Sequence, residues 1–186
     1  MGTELPHTKV KLVVPILFSD LNIFNRIVPE LILQFGETDY TSEIFPFKFT
    51  SYYDDEMAGD IFRVFLSFHK LIAPEDLIDI KKATNRIELE HSDLGNRRVN
   101  LDPGYLELGK FVLATTKDQQ HRLYIRDGIY EEITLFYRAK QWRDWEWTYP
   151  DYRSEKYKTI LTEIREISRK QVKSGEAAGI LQPGER

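Results

Sequence analysis

The sequence predicts an α+β protein: a ferredoxin-like split βαβ core, an antiparallel sheet with helices on one face, extended by a C-terminal β-hairpin and a final helix. Three observations carry that prediction. Some runs alternate apolar with polar residues, as half-buried strands do, while others repeat apolar residues every three or four positions, as helices do. The order along the chain is strand, helix, strand, strand, helix, strand, which is the split βαβ order. A turn signal, Asp127-Gly128, then sits between two further strand-like runs.

The first strand is KVKLVVPILF, with Val10, Leu12, Val14, Ile16 and Phe18 on one face. Pro15 lacks a ladder donor, so a bulge, an edge or an early end is expected there. Ser19 or Asp20 then caps a helix with the stripe Leu21, Phe24, Ile27, Val28, Leu31 and Phe35. Pro29 lies inside that helix and Gly36 ends it. Phe45, Phe47 and Phe49 alternate, and IFRVFLSF places Phe62, Val64, Leu66 and Phe68 together. Pro74 opens a second helix where a missing N–H costs nothing. Its stripe is Leu77, Ile80, Thr84, Ile87 and His91, flanked by a polar seam of Lys81, Asn85 and Glu88. RRVNL and KFVLATT supply strands, and the last helix begins near Ser154, carrying Tyr157, Ile160, Leu161, Ile164, Ile167 and Gln171 on one side.

The hairpin HRLYIRDGIYEEITLFYR admits two registers. A two-residue Asp127-Gly128 loop would set Arg126 opposite Ile129 and mix charged with apolar residues. A three-residue loop, Arg126-Asp127-Gly128, is therefore predicted. It aligns Leu123, Ile125, Ile129, Ile133 and Leu135 on the core face and pairs Arg122 with Glu132 and Tyr124 with Tyr130, leaving Glu131 as the misfit.

A length of 186 residues suits one domain, predicted over residues 1–172, with a disordered Gly-rich tail over 173–186. The chain has no cysteine, which excludes disulfides and thiolate chemistry and fits a cytoplasmic protein. No membrane segment is predicted, because the first apolar run is short and interrupted by Lys11 and Pro15. The net charge of −4 argues against nucleic acid as a general partner. Oligomeric state is not decided by this pattern.

Several stretches offer chemistry. DPGYLELGKF approaches a phosphate-binding loop, but Tyr105-Leu106-Glu107-Leu108 fills the loop interior and Phe111 stands where a magnesium-binding hydroxyl belongs. It is predicted instead to turn at Asp102-Pro103-Gly104 and run on as a strand. In SYYDDEM, Asp54, Asp55 and Glu56 lie beside Tyr52 and Tyr53; such carboxylates hold a hard cation or act as acid and base, or form an ordinary solvated loop. Lys117, His121 and Arg122 bring three nitrogen groups near one strand, suited to a phosphate or carboxylate. His121 is equally a core histidine in the chosen register, and Arg122 has Glu132. The aromatic stretch WRDWEWTYPDYRS, with Arg143 and Arg153, either clamps an irregular crossover or stacks on a ligand.

FPFKFTSYYDDEM, NLDPGYL, ATTKD, HRLY, DGIYEE and WTYPDYRS occur in that order, and through them the chain from Lys9 to Arg169 resembles the bacterial and archaeal family called domain of unknown function 4416. The family has no assigned reaction. Some similar proteins are labelled GTP-binding, yet this sequence has neither a usable phosphate loop nor an N-K-x-D motif.

The expected function is binding of a small anionic or nucleotide-like ligand, with magnesium-assisted phosphoryl or hydrolytic chemistry left open. Glu56, Asp102 and His121 are the catalytic candidates. Lys117, Arg122, Tyr53, Tyr130 and Arg153 are the ligand-binding candidates, and Asp54 and Glu56 the metal ligands. The alternative is a non-catalytic protein- or RNA-interaction module using residues 142–152.

Overall fold

The computed structural model describes residues 4–49, 57, 60–93 and 96–175. Along the chain run β1 (Val10–Phe18), α1 (Leu21–Phe35), β2 (Thr38–Thr41), β3 (Phe45–Pro46), β4 (Phe62–Ile72), α2 (Leu77–Glu90), β5 (Val99–Leu101), β6 (Gly104–Leu106), β7 (Lys110–Thr115), β8 (Leu123–Arg126), β9 (Ile129–Arg138), β10 (Gln141–Asp144) and α3 (Glu155–Ser174). The strands form one antiparallel sheet along the path β10-β9-β7-β6-β1-β4-β2, with β3 on β4, β5 on β1 and β8 on β9. The protein is thus α+β, a ten-stranded sheet with three helices among the described residues.

Strand alternation divides the core between the two faces of the sheet. Val10, Leu12, Val14, Ile16 and Phe18 pack with Ile23, Ile27 and Leu31 of α1 and Leu77, Ile80 and Ile87 of α2. Val13, Phe65, Phe111 and Leu135 point the other way and meet Tyr157, Ile160, Leu161 and Ile164 of α3. The helix boundaries follow from their caps. Asp20 accepts from Asn22 N at 2.8 Å, Gly36 ends α1, Ser154 accepts from Tyr157 N, and left-handed Gly175 ends α3. No helix among the described residues is long and apolar enough to cross a membrane.

Pro15 lies in a central strand. The Asp102 N–H donates to Pro15 O at 3.0 Å, and the return bond is the one a proline cannot give. The ladder is interrupted there, separating β5 from β6, although both keep one register against β1: Ile16 opposite Leu101 and Val13 opposite Gly104. The expected reversal at Asp102-Pro103-Gly104 is therefore corrected. The chain runs straight on through Gly104 and turns later, where Glu107 N donates to Lys110 O at 2.9 Å. Gly104 serves close approach: a Cβ there would sit 2.3 Å from Val112 O.

The hairpin also departs from the expected register. Arg126 faces Ile129 across a two-residue turn, with Asp127 (φ 54°) and Gly128 (φ 77°) both left-handed. Ile125 is the extra residue of a bulge, and it restores the expected Tyr124–Tyr130 pair. Leu123, Ile125 and Ile133 face solvent; Glu132 and Thr134 are buried beside Ile129 and Leu135. A polar network takes the inner positions at that end. Glu132 receives Arg122, and the Thr134 hydroxyl donates to Glu132 Oε1 at 3.2 Å.

One consequence of the Pro15–Asp102 interruption positions the site. β6 pairs with β7 as far as Gly104–Leu113, and Ala114 N still reaches Pro103 O at 3.0 Å. Beyond that, β5 pairs with β1 alone while β7 continues along β9, so the sheet forks. In the fork, α2 supplies what a strand partner would. Lys81 Nζ donates to Leu101 O at 2.9 Å and Leu101 N donates to Glu88 Oε1 at 2.6 Å.

Candidate ligand-binding cleft

The fork opens into a cleft of about 400 Å³ on the α3 side of β5. Its floor carries Asn100 and Asp102, one wall Ala114 to Lys117, and the other Phe47, Phe49 and Arg63; Tyr149 to Tyr152 close over it. Lys81, Arg97 and Glu132 complete the lining. Among the described lining residues, four cationic side chains (Arg63, Lys81, Arg97, Lys117) and three carboxylates (Asp102, Glu132, Asp151) share the cleft, and Glu88 lies 3.9 Å from Arg97 behind it.

Arg63 is held from every side. Its Nε donates to Tyr157 OH at 2.9 Å, Nη1 to Asp102 and Nη2 to Asp151, both at 3.2 Å, and its guanidinium lies 5.2 Å from the Phe47 ring centroid. Burial opposes its charge, but the surrounding phenols and carboxylates outweigh this and hold its pKa above the ordinary arginine value. Burial also pushes Asp151 above the usual carboxylate range, against the pull of Arg63. It raises Glu88 likewise, against the pull of Lys81.

Two buried polar atoms in the cleft have no partner among the described residues: Asn100 Nδ2 and Tyr152 OH. Asn100 is 5% exposed, and its Oδ1 accepts from Arg97 Nη1 at 3.0 Å. Unmet buried donors cost free energy, so such groups are rare unless something else satisfies them.

Of the residues expected from sequence, Asp102 and Lys117 meet in this cleft. Arg122 stands behind the wall. Its Nε donates to Glu132 Oε2 and its Nη1 to Lys117 O, each at 2.9 Å, and its Nη2 donates to Tyr149 OH. With all three nitrogens engaged, it anchors the segment that carries Lys117. His121 is drawn elsewhere: Nε2 lies 3.1 Å from Glu132 Oε2, and the ring stacks on Trp147 at 5.4 Å. It lines a separate shallow hollow with Gln119, Gln120, Glu146 and Trp147. Tyr130 makes an edge contact with Tyr124 at 5.3 Å, away from the cleft. Arg153 pins the aromatic crossover by donating to Thr148 O at 2.7 Å and Glu146 O at 2.6 Å. Tyr53, Asp54 and Glu56 lie outside the described residues, as do Tyr52 and Asp55. Among the described residues no group of three His, Asp or Glu is placed to hold a metal ion.

The aromatic stretch packs largely on itself. Trp142 is buried, and Trp147 stacks on Trp145 (5.1 Å) and on His121, with Phe136 against Trp145 at 4.4 Å. Trp147 is 39% exposed and stacks on both Trp145 and His121.

Sequence reasoning missed Arg63, Asn100, Asp151 and Tyr152 as site residues. Arg63 carried a signal, a lone charge inside the apolar alternation IFRVFLSF. The seam Lys81–Glu88 was visible on its helix without its partner, the edge of β5.

One family model, described as Domain of unknown function (DUF4416), matches residues 8–167. No curated protein and no solved structure matches the chain.

Proposed function

For this chain, which belongs to the DUF4416 family, we propose that the forked-sheet cleft binds a small anionic ligand bearing a phosphate or carboxylate. The observation that carries this is the buried Asn100 amide, whose donor meets no acceptor among the described residues while Arg97, Lys81 and Lys117 line the same cleft. An anionic oxygen satisfies the donor beside these cationic side chains, and charge-assisted bonds of this kind are the strong ones. The volume, about 400 Å³, is in the range of small-molecule sites. Metal-assisted catalysis rests on Asp54 and Glu56 and stays outside the proposal, which is one of binding. We also read the core as a ferredoxin-like split βαβ unit. Its support is the order β5/β6-β1-β4-β2 with α1 and α2 packed on one face.

Thermal-shift and NMR titration with inorganic phosphate, nucleotides, sugar phosphates and dicarboxylates tests the proposal. A saturable rise in Tm that is lost in Asn100→Ala is expected. If none of these anions shifts the wild-type protein, the proposal falls.

A further inference from the structure

Resting on that reading, we infer that the ligand is bipolar: its anionic group meets Asn100 and Arg97, and a hydrogen-bond donor at its other end, an ammonium or a hydroxyl, meets Asp102. Asn100 and Asp102 are two positions apart on one strand line, so their side chains leave the same face roughly 6–7 Å apart. Both line the cleft. One of them offers an unmet donor, Asn100 Nδ2. The other offers acceptor capacity: Asp102 Oδ2 accepts from Arg63 Nη1, and Oδ1 takes no hydrogen bond from any described residue. An ionised carboxylate has room for several such bonds.

The charges point the same way. Arg97 bonds Asn100 at one end, whereas Asp102 and Asp151 share Arg63 at the other. Tyr152 OH, buried and unpartnered beside the acidic end, can donate or accept and so suits either donor group.

The test compares three phosphate esters that differ only at the far end: ethyl phosphate, 2-hydroxyethyl phosphate and O-phosphoethanolamine, titrated into the wild-type protein and followed by NMR. At least one donor-bearing ester is expected to bind about tenfold more tightly than ethyl phosphate, the size of one charge-assisted hydrogen bond. Asp102→Asn should shrink that advantage and leave ethyl phosphate nearly unchanged, whereas Asn100→Ala should weaken all three alike. Equal wild-type affinities for the three esters overturn the bipolar inference and leave the anion-binding proposal standing. If no ester and no inorganic phosphate binds, both are overturned. The wild-type series decides between these outcomes even if a variant fails to fold.

Discussion

Arg97 Nη1 donates to Asn100 Oδ1 at 3.0 Å, and because arginine can only donate, this bond identifies Oδ1 as the paired end of the amide. The other end is Nδ2, a donor with no acceptor among the described residues. The site is thereby polarised by a contact between neighbours in sequence, on a strand whose outer edge is covered by a helix instead of another strand.

Arg63 should be the strongest single support of the cleft wall. Arg63→Met would leave Asp151 buried without its cation and free Tyr157 OH. A loss of about 3–5 kcal/mol in urea unfolding is expected, as for a broken buried ion pair. Arg63→Lys should recover only part of it, since one ammonium cannot reach three partners in the fork geometry of a guanidinium.

Gly104→Ala should destabilise by about 3 kcal/mol, because the new Cβ would meet Val112 O at 2.3 Å and Leu113 Cδ2 at 2.9 Å. Gly109→Ala is the matched control, with nothing within 4 Å. Its unfolding midpoint should stay near that of the wild type. A mild effect at Gly104 would mean that β6 and β7 are not so closely apposed.

The pH dependence of stability should carry the mark of Glu88. Burial raises its folded pKa above the ordinary 4.5, with Lys81 and the Leu101 N–H acting against the shift. A raised carboxylate contributes stability fully below the unfolded value and loses it as pH rises through the folded one. Tm should therefore increase as pH is lowered from neutral toward that ordinary value, and Asp151 and Glu131, also raised by burial, add to the same slope. Glu88→Gln keeps an acceptor for Leu101 N and should flatten the slope. A wild-type Tm that falls over this interval would count against the buried clamp.

Trp147 and Trp142 should differ in acrylamide quenching. Trp142 is 4% exposed and Trp147 39%. Trp142→Phe should leave the quenchable fraction of the emission almost intact, whereas Trp147→Phe should remove most of it. Salt-sensitive RNA binding that disappears with Trp147→Phe would favour the aromatic segment as an interaction surface.

Local signals were read well from the sequence where one element decides them. The caps Asp20 and Ser154, the stop at Gly36 and most of the helix stripes needed only spacing, although in α1 Ile23 is buried and Leu21, placed on the stripe, is exposed. Arg122–Glu132 and Tyr124–Tyr130 followed from cross-strand logic, although by a three-residue loop that the structure replaces with a two-residue turn and a bulge at Ile125. What escaped was decided between distant segments. Glu132 and Thr134 displaced Ile133 from the inner face because Arg122 donates to Glu132 and Glu132 in turn accepts from the Thr134 hydroxyl there. Asn100 looked like an ordinary polar position in a short strand. Only the gap left by Pro15, and α2 filling it through Lys81 and Glu88, makes that strand the floor of a cleft.

The most direct measurement is a phosphate titration of the ¹⁵N-labelled protein, following the Asn100 side-chain NH₂ pair. A saturable shift of that pair, tracking the Arg97 side chain and absent for exposed amides such as Gln119, is the predicted result. If the Asn100 pair stays in place while surface groups respond, the unmet amide is not the anchor of an anion site, and the central claim is contradicted.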